Sequence, residues 1–337
     1  MKSGYRTILI NSFLLVSAFL LSIAIGSVNI PLKDIIQILF NAGNASQLSS
    51  TYTTILFDLR LPRMILMALI GAALASSGCA YQGLFRNPLA DPYLIGAASG
   101  AGLGAVLAIT IHWPVTTLGY LIVPVAAFIG ASLTVLIVFS LARLGKTTPI
   151  TTLILAGVAV SSFVTALTSF LLINASGELR RSLVWLVGGS TMTGWLPVIA
   201  VLPYIAISLM ILLSMGHQLN VLQFGDEQAQ QLGVRVPQMR TLIILAATLA
   251  TASAVAFTGI IGFIGLIVPH IMRSLWGADH RRLIPLSILG GAAFLLTADI
   301  ISRIVLAPQE LPVGIITSLT GAPFFLFILR RSKQQHW

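Results

Sequence analysis

Few side chains in this sequence have the types and spacing that chemistry requires. The tripeptide Gly-Lys-Thr at 145–147 resembles the tail of a phosphate-binding loop, but the leading glycine would fall at Ser140 and no soluble strand precedes it. His270 and His280 have no cysteine or carboxylate pair at ligand spacing, so the pattern does not favour a zinc site. We therefore expect no ATPase machinery, no catalytic residues, no metal and no cofactor in this chain.

Asp299 is the one acidic residue that falls inside a long apolar stretch as we divide the chain. Ion-coupled carriers keep ionisable groups near mid-membrane, because the driving ion must bind there. Asp299 lies four residues before Arg303, near the predicted outer end of its helix, and this spacing favours an i, i+4 ion pair. The energy for transport is therefore expected to come from elsewhere.

The elements that must position these residues are membrane helices. The 337 residues are 57% hydrophobic and only 8% charged, too little charge for the surface of a soluble domain. The apolar blocks are too long for barrel strands, which leaves helices as the spanning elements. We predict one transmembrane domain over 1–337 with ten spans: 7–28, 62–81, 93–112, 117–141, 150–173, 197–215, 240–258, 260–276, 283–306 and 312–329.

Several segments of the chain refine this division. The N-terminal apolar run, from Thr7 to about Ser27, is too long for the core of a signal peptide, so we interpret it as a retained span. The segments 31–40 and 174–195 are amphipathic and are expected to form short helices outside the bilayer core. Small residues cluster at 71–78 and 96–104, a composition typical of close helix packing. The single cysteine, Cys79, lies in an apolar block and is expected to be a packing residue.

Basic residues are distributed unequally between the two sides of the membrane. Thirteen of the 19 Lys and Arg residues fall on the side that both termini share. They are Lys2, Arg6, Arg86, Arg143, Lys146, Arg235, Arg240, Arg273, Arg281, Arg282, Arg330, Arg331 and Lys333. The positive-inside rule therefore places both termini in the cytoplasm, and the net charge of +10 requires no nucleic acid to explain it.

The longest polar interruption runs from Gly216 to Arg240. We predict two short helices here, with Gly225 and Asp226 capping the first, and with Gly233 and Pro237 bracketing the bend before the second. A compact helical segment between spans is suited to docking another protein. We name 216–240 the coupling segment, because we expect a partner to push on it.

Motifs along nearly the whole chain resemble the permease subunits of ABC importers for cobalamin, haem and iron–siderophore complexes. The motifs, in family order, are RLPR (60–63), QGLFRNPLADPYLIG (82–96), LAG (155–157), EQAQQLGV (227–234), GFIGLIVPH (262–270), GADHRRL (277–283), ADIISR (298–303) and ELPVGIITSLTGAPFF (310–325). The resemblance implies the all-α type II importer fold, with ten transmembrane helices in two related halves. It further implies a homodimer in the bacterial inner membrane, two copies of an ABC ATPase and a periplasmic substrate-binding protein.

The resemblance also assigns roles to individual residues. The predicted ATPase-coupling residues are Asp226, Glu227, Ala229, Gly233 and Val234. The predicted contacts of the binding protein are Arg60, Arg63 and Arg303. The family's cytoplasmic gate corresponds to the start of span five, at Thr147, Thr148, Ile150, Thr151 and Thr152, where Pro149 and Ile150 depart from the family pattern.

Two questions stay open at the level of sequence. The resemblance favours a metal chelate as substrate, yet some relatives carry oxyanions such as molybdate or tungstate, and the spans select neither class. The alternative from another class is an ion-coupled secondary transporter or channel that works alone. The lack of mid-membrane carboxylates and the form of the coupling segment argue against that alternative.

Overall fold

The computed structural model describes residues 2–26, 28, 30–40, 50–111, 117–143, 145, 148–174, 177–189 and 192–333, and contains helices but no β-strand within these ranges. The α-helices are α1 Lys2–Ala24, α2 Leu32–Phe40, α3 Ser50–Thr54, α4 Leu61–Phe85, α5 Ala97–Thr110, α6 Thr117–Ala142, α7 Ile150–Asn174, α8 Leu179–Leu186, α9 Leu196–Ser214, α10 Gly216–Leu222, α11 Asp226–Gln231, α12 Val236–Thr258, α13 Ile264–Trp276, α14 His280–Ile304 and α15 Val313–Lys333.

Each of the ten predicted spans corresponds to an apolar helix. Seven helices in the described ranges are long and apolar enough to cross a bilayer, and three shorter ones occupy the predicted spans 93–112, 260–276 and 312–329. The break between spans seven and eight falls where expected, because α12 ends before Gly259, which has a φ of 76°. The short helices α2 and α8 occupy the two predicted amphipathic segments.

The second span begins earlier than the sequence predicted. A continuous helical stretch of 35 residues runs from Thr51 to Phe85, so Arg60 and Arg63 lie within it rather than at its mouth. A π-helical turn, Ile55–Arg60, ends two residues before Pro62 and changes the spacing of the backbone hydrogen bonds near the proline, which lacks an N–H. In the sequence, Arg60 and Arg63 resemble a helix boundary. They can lie inside the helix because each has a partner in another helix.

Helix α4 lies at the centre of the molecule and contacts α9, α12, α13 and α14. Its backbone approaches that of α14 closely, because a Cβ placed on Gly71 would lie 2.2 Å from the carbonyl oxygen of Gly291. The same relation holds between Gly100 of α5 and Gly130 of α6, where the distance would be 2.3 Å. Cys79 is fully buried in this core. The small-residue clusters are therefore packing surfaces, as predicted.

Helix α7 is the least buried of the seven long apolar helices. In its most apolar window only 17% of the residues are buried, against 83% in the helix that contains α4. The exposed side chains of α7 are large and apolar, with Leu155, Phe163 and Phe170 each about two-thirds exposed. This surface requires either lipid or another polypeptide to cover it.

Candidate functional site

The coupling segment consists of two short helices, α10 and α11, which connect α9 to α12. The sequence placed the start of the first short helix at Gly225 and Asp226, and this is wrong: α10 already begins at Gly216, and Gly225 precedes the second helix, α11. The N-cap residue of α11 is Gly225, which has no side chain with which to cap the helix. The carboxylate of Asp226 binds Arg240, and an ion pair with a distant residue is not visible in local spacing.

The bend after α11 is a Schellman motif. The N–H of Gly233 donates to the carbonyl of Gln230 at 2.9 Å, and the N–H of Val234 donates to the carbonyl of Ala229 at 3.0 Å. Gly233 has a φ of 84°, in the left-handed region that favours glycine at this position. The motif therefore fixes the direction in which the chain leaves α11 towards α12.

The predicted ATPase-coupling residues divide into an exposed set and a supporting set. Glu227 and Gly233 are exposed, whereas Ala229 is fully buried against the body of the protein, and Asp226 and Val234 are half-buried. Two large apolar side chains that the sequence analysis did not single out are also exposed on this segment: Phe224 at 66% and Leu232 at 65%. Such residues on an otherwise polar surface are typical of a protein contact.

Polar contacts attach α10 to the start of α14. Asn220 donates its side-chain N–H to Asp279 at 2.6 Å, and its oxygen accepts from the N–H of His280 at 2.8 Å. Burial alone would raise the pKa of Asp279, but hydrogen bonds from Asn220 and Arg281 outweigh it and hold that pKa below its usual range. Gln223 also donates to the carbonyl of Gly83 at 2.7 Å, which attaches α10 to the end of α4.

The start of α7 carries the predicted gate residues. Thr147 lies outside the described residues. Thr148 is buried, Ile150 and Thr152 are half-buried, and Thr151 is exposed. No contact of these side chains tests their role as a gate, which stays a prediction.

A cluster of charges surrounds Asp299 at the other end of the helices. Asp299 is fully buried and pairs with Arg303 at 3.1 Å, which confirms the expected i, i+4 ion pair. Arg63 contacts the same carboxylate at 2.8 Å and reaches Glu310 at 2.5 Å. Asp299 is therefore held between two guanidinium groups from different helices.

The three predicted docking arginines differ in accessibility. Arg60 and Arg303 are 6% and 3% exposed, and both donate to backbone carbonyls at the end of α1: Arg60 to Ile23 at 2.7 Å, and Arg303 to Ile25 at 3.1 Å. Positive charge at a helix C-terminus is stabilising, because the helix dipole is negative there. The side chain of Arg63 is 31% exposed. All three line one cavity of about 810 Å³. The residues that the resemblance grouped together therefore also lie close together in the structure.

Sequence analysis missed the most deeply buried charge of the coupling segment. The sequence analysis counted Arg240 only as one of the basic residues on the cytoplasmic side. In the structure its side chain is buried and connects distant segments. The half-buried Arg273 likewise donates to the side-chain oxygen of the buried Gln82 at 2.7 Å. The available signal was a cation placed about one turn inside an apolar helix, because such a charge requires a partner.

The long apolar helices, with a separate polar coupling segment, are those of a multi-pass integral membrane protein. Residues 14–331 match the FecCD transport family. The chain belongs to the FecCD transport family and is a membrane-spanning permease subunit of an ABC importer.

Similar proteins support this assignment. The chain is 46% identical over 280 residues to the cobalamin import system permease protein BtuC of Halobacterium salinarum, covering 83% of this chain and 74% of that protein. It is 42% identical over 280 residues to the hemin transport system permease protein HmuU of Yersinia pestis, covering 82% and 84%. A solved ABC transporter described as of the metal-chelate type, in an inward-facing conformation, superposes with a TM-score of 0.82 at 30% identity, covering 97% of this chain and 99% of that one.

Proposed function

We propose that this chain forms, as a homodimer, the path by which a metal chelate enters the cell. The chelate is an iron–siderophore complex, haem or cobalamin, and the similarity to permeases named for cobalamin and hemin supports this class over an oxyanion. A periplasmic binding protein delivers the chelate, and two copies of an ABC ATPase supply the energy. Membership of the FecCD transport family is the observation that carries the proposal.

The proposed orientation is in the bacterial inner membrane with both termini in the cytoplasm. It rests on the thirteen basic residues that lie on one side of the predicted spans. The coupling segment then lies on the cytoplasmic side, where an ATPase could bind Glu227, Phe224 and Leu232. The cavity near Arg63 lies on the outer side, and α7 offers the apolar surface that a second copy could cover.

Transport is expected to depend entirely on the ATPase. Vesicles that contain this chain alone should take up no radiolabelled cobalamin, haem or ferric hydroxamate under a proton or sodium gradient. Adding the ATPase, a binding protein and ATP should produce uptake of at least one of the three. Gradient-driven accumulation by the chain alone would support the secondary-transporter alternative, and uptake of molybdate alone by the full assembly would refute a metal chelate as substrate.

Arg63 is expected to contribute most of the outer docking contact, because it is the most accessible of the three arginines. Replacing Arg63 with Gln keeps a donor for Asp299 but removes the charge. We expect affinity for the binding protein to fall roughly fivefold at low salt, the equivalent of about 1 kcal/mol for an exposed ion pair. The difference should shrink at high salt, because ions screen exposed charges.

The matched control for this experiment is Glu310→Gln, which removes the exposed one of the two acidic partners of Arg63 and should not weaken binding. Affinity is measured with immobilised permease at two salt concentrations, and thermal stability is measured on the same samples. If Arg63→Gln lowers only the unfolding temperature and leaves affinity unchanged, the arginine stabilises the helices and does not dock the binding protein.

A further inference from the structure

Arg240 carries a charge in a place where a charge is costly. It lies about one turn inside α12 and is 7% exposed. A buried guanidinium is tolerated only when it is paired and hydrogen-bonded. Its two terminal nitrogens have partners in two other parts of the chain, whereas Nε has no hydrogen-bond partner among the described residues.

The first partner is Asp226, the first residue of α11. One terminal nitrogen of Arg240, Nη2, lies 3.1 Å from Oδ1 and 2.9 Å from Oδ2 of this carboxylate. The second partner is the backbone carbonyl of Thr148, which accepts from Nη1 at 2.8 Å. The planar guanidinium directs its N–H groups outward in fixed directions, so one side chain can hold both partners at once.

The two partners lie in segments with separate predicted roles. Asp226 belongs to the coupling segment, and Thr148 lies two residues before α7, among the predicted gate residues. Other polar contacts of the coupling segment lead elsewhere: Asn220 to the start of α14, and Gln223 to the end of α4. Within the described ranges, Arg240 makes the one hydrogen-bonded connection from this segment to the start of α7.

We propose that Arg240 is a positioning residue that transmits movement of α11 to the cytoplasmic start of α7. If α11 shifts, the guanidinium must either follow Asp226 or remain in a buried site without its counter-ion. Releasing Thr148 would similarly leave a buried donor unsatisfied, which carries a full desolvation penalty. Following both partners is the less costly response, so α11 and Thr148 move together. This inference rests on the proposed function, in which an ATPase moves the coupling segment.

The test uses the assembled permease and ATPase with two conservative variants. Arg240→Lys keeps the positive charge, but a single ammonium replaces the two separated nitrogens that meet Asp226 and Thr148. Asp226→Asn keeps a hydrogen-bond acceptor and removes the counter-ion. In each variant we expect the ratio of chelate uptake to ATP hydrolysis to fall at least tenfold, measured with cobalamin, haem and ferric hydroxamate. The matched control is Arg282→Met, which removes an exposed cation from the first turn of α14.

A second measurement follows the start of α7 directly. Cys79 is buried, so a maleimide should react selectively with a cysteine introduced at Thr151, which is exposed in the single chain. In the otherwise unaltered assembly, the labelling rate should change when ATP is added, and in Arg240→Lys and Asp226→Asn this response should be lost. A purely structural role would lower thermal stability without removing the response to ATP.

The outcomes separate this inference from the proposed function. If Arg240→Lys and Asp226→Asn transport at the original ratio, or keep the nucleotide response at position 151, the inference is refuted. Loss of ATPase binding in Asp226→Asn also refutes it, because Asp226 would then be a direct contact. If Arg240→Lys does not fold, Asp226→Asn decides alone. If altering Gly233 leaves assembly and transport intact, the docking role of the coupling segment is wrong, whatever Arg240 does.

Discussion

Placing alanine at Gly78 is expected to lower the thermal stability of the permease substantially, and placing leucine there is expected to abolish the folded protein. Gly78 lies in α4, where a Cβ would fall 1.9 Å from the carbonyl oxygen of Gly265 and 2.4 Å from its Cα. Because the neighbour is backbone, it cannot rotate away as a side chain could, and α4 and α13 must separate. Overpacking costs typically about 1–3 kcal/mol, and this contact should lie at the upper end of that range.

The gain in helix propensity from glycine to alanine opposes this loss but is smaller, about 1 kcal/mol. The net effect is therefore destabilising, and it should appear as a lower unfolding midpoint of purified protein in detergent. Gly262→Ala is the matched control, because no atom lies within 4 Å of the position its Cβ would take. Equal midpoints for Gly78→Ala and Gly262→Ala would show that the contact between α4 and α13 is looser than described.

Replacing Gly233 with valine is expected to uncouple ATP hydrolysis from transport. Nothing lies within 4 Å of a Cβ at this position, so the substitution creates no clash. The effect comes from the φ of 84°, since a left-handed residue other than glycine costs roughly 1–2 kcal/mol and a β-branched one is a genuine outlier. The bend between α11 and α12 should therefore open and displace the surface that carries Glu227 and Leu232.

We expect uptake to fall at least fivefold in reconstituted vesicles, since 1–2 kcal/mol corresponds to a factor of about 5–30. Gly233→Asn should retain most activity, because asparagine tolerates this conformation. A second control is Gly277→Val, at a φ of 93° in open space between α13 and α14, which introduces the same strain outside the coupling segment. Normal assembly and uptake in Gly233→Val would remove the coupling segment from the proposed docking site.

Sequence alone determined the class of protein and the number of spans. The ten spans could be predicted because a helix must satisfy its own backbone in lipid, so its length and apolar composition are local properties. The Schellman bend at Gly233 was also visible, since glycine after a helix has a local conformational reason. The ion pair of Asp299 with Arg303 followed from a spacing of four residues on one helix.

Only the tertiary structure decided which charges lie inside. Arg60 was expected at the mouth of a helix, yet it is buried and donates to the carbonyl of Ile23 in α1, which precedes it by more than 30 residues. Asp226 was expected to cap a helix, yet it pairs with Arg240, and Arg240 also reaches Thr148 across 92 positions of the chain. The physical reason is that a charge can enter a low-dielectric interior only where a partner meets it, and which segments meet depends on the packing of helices far apart in sequence.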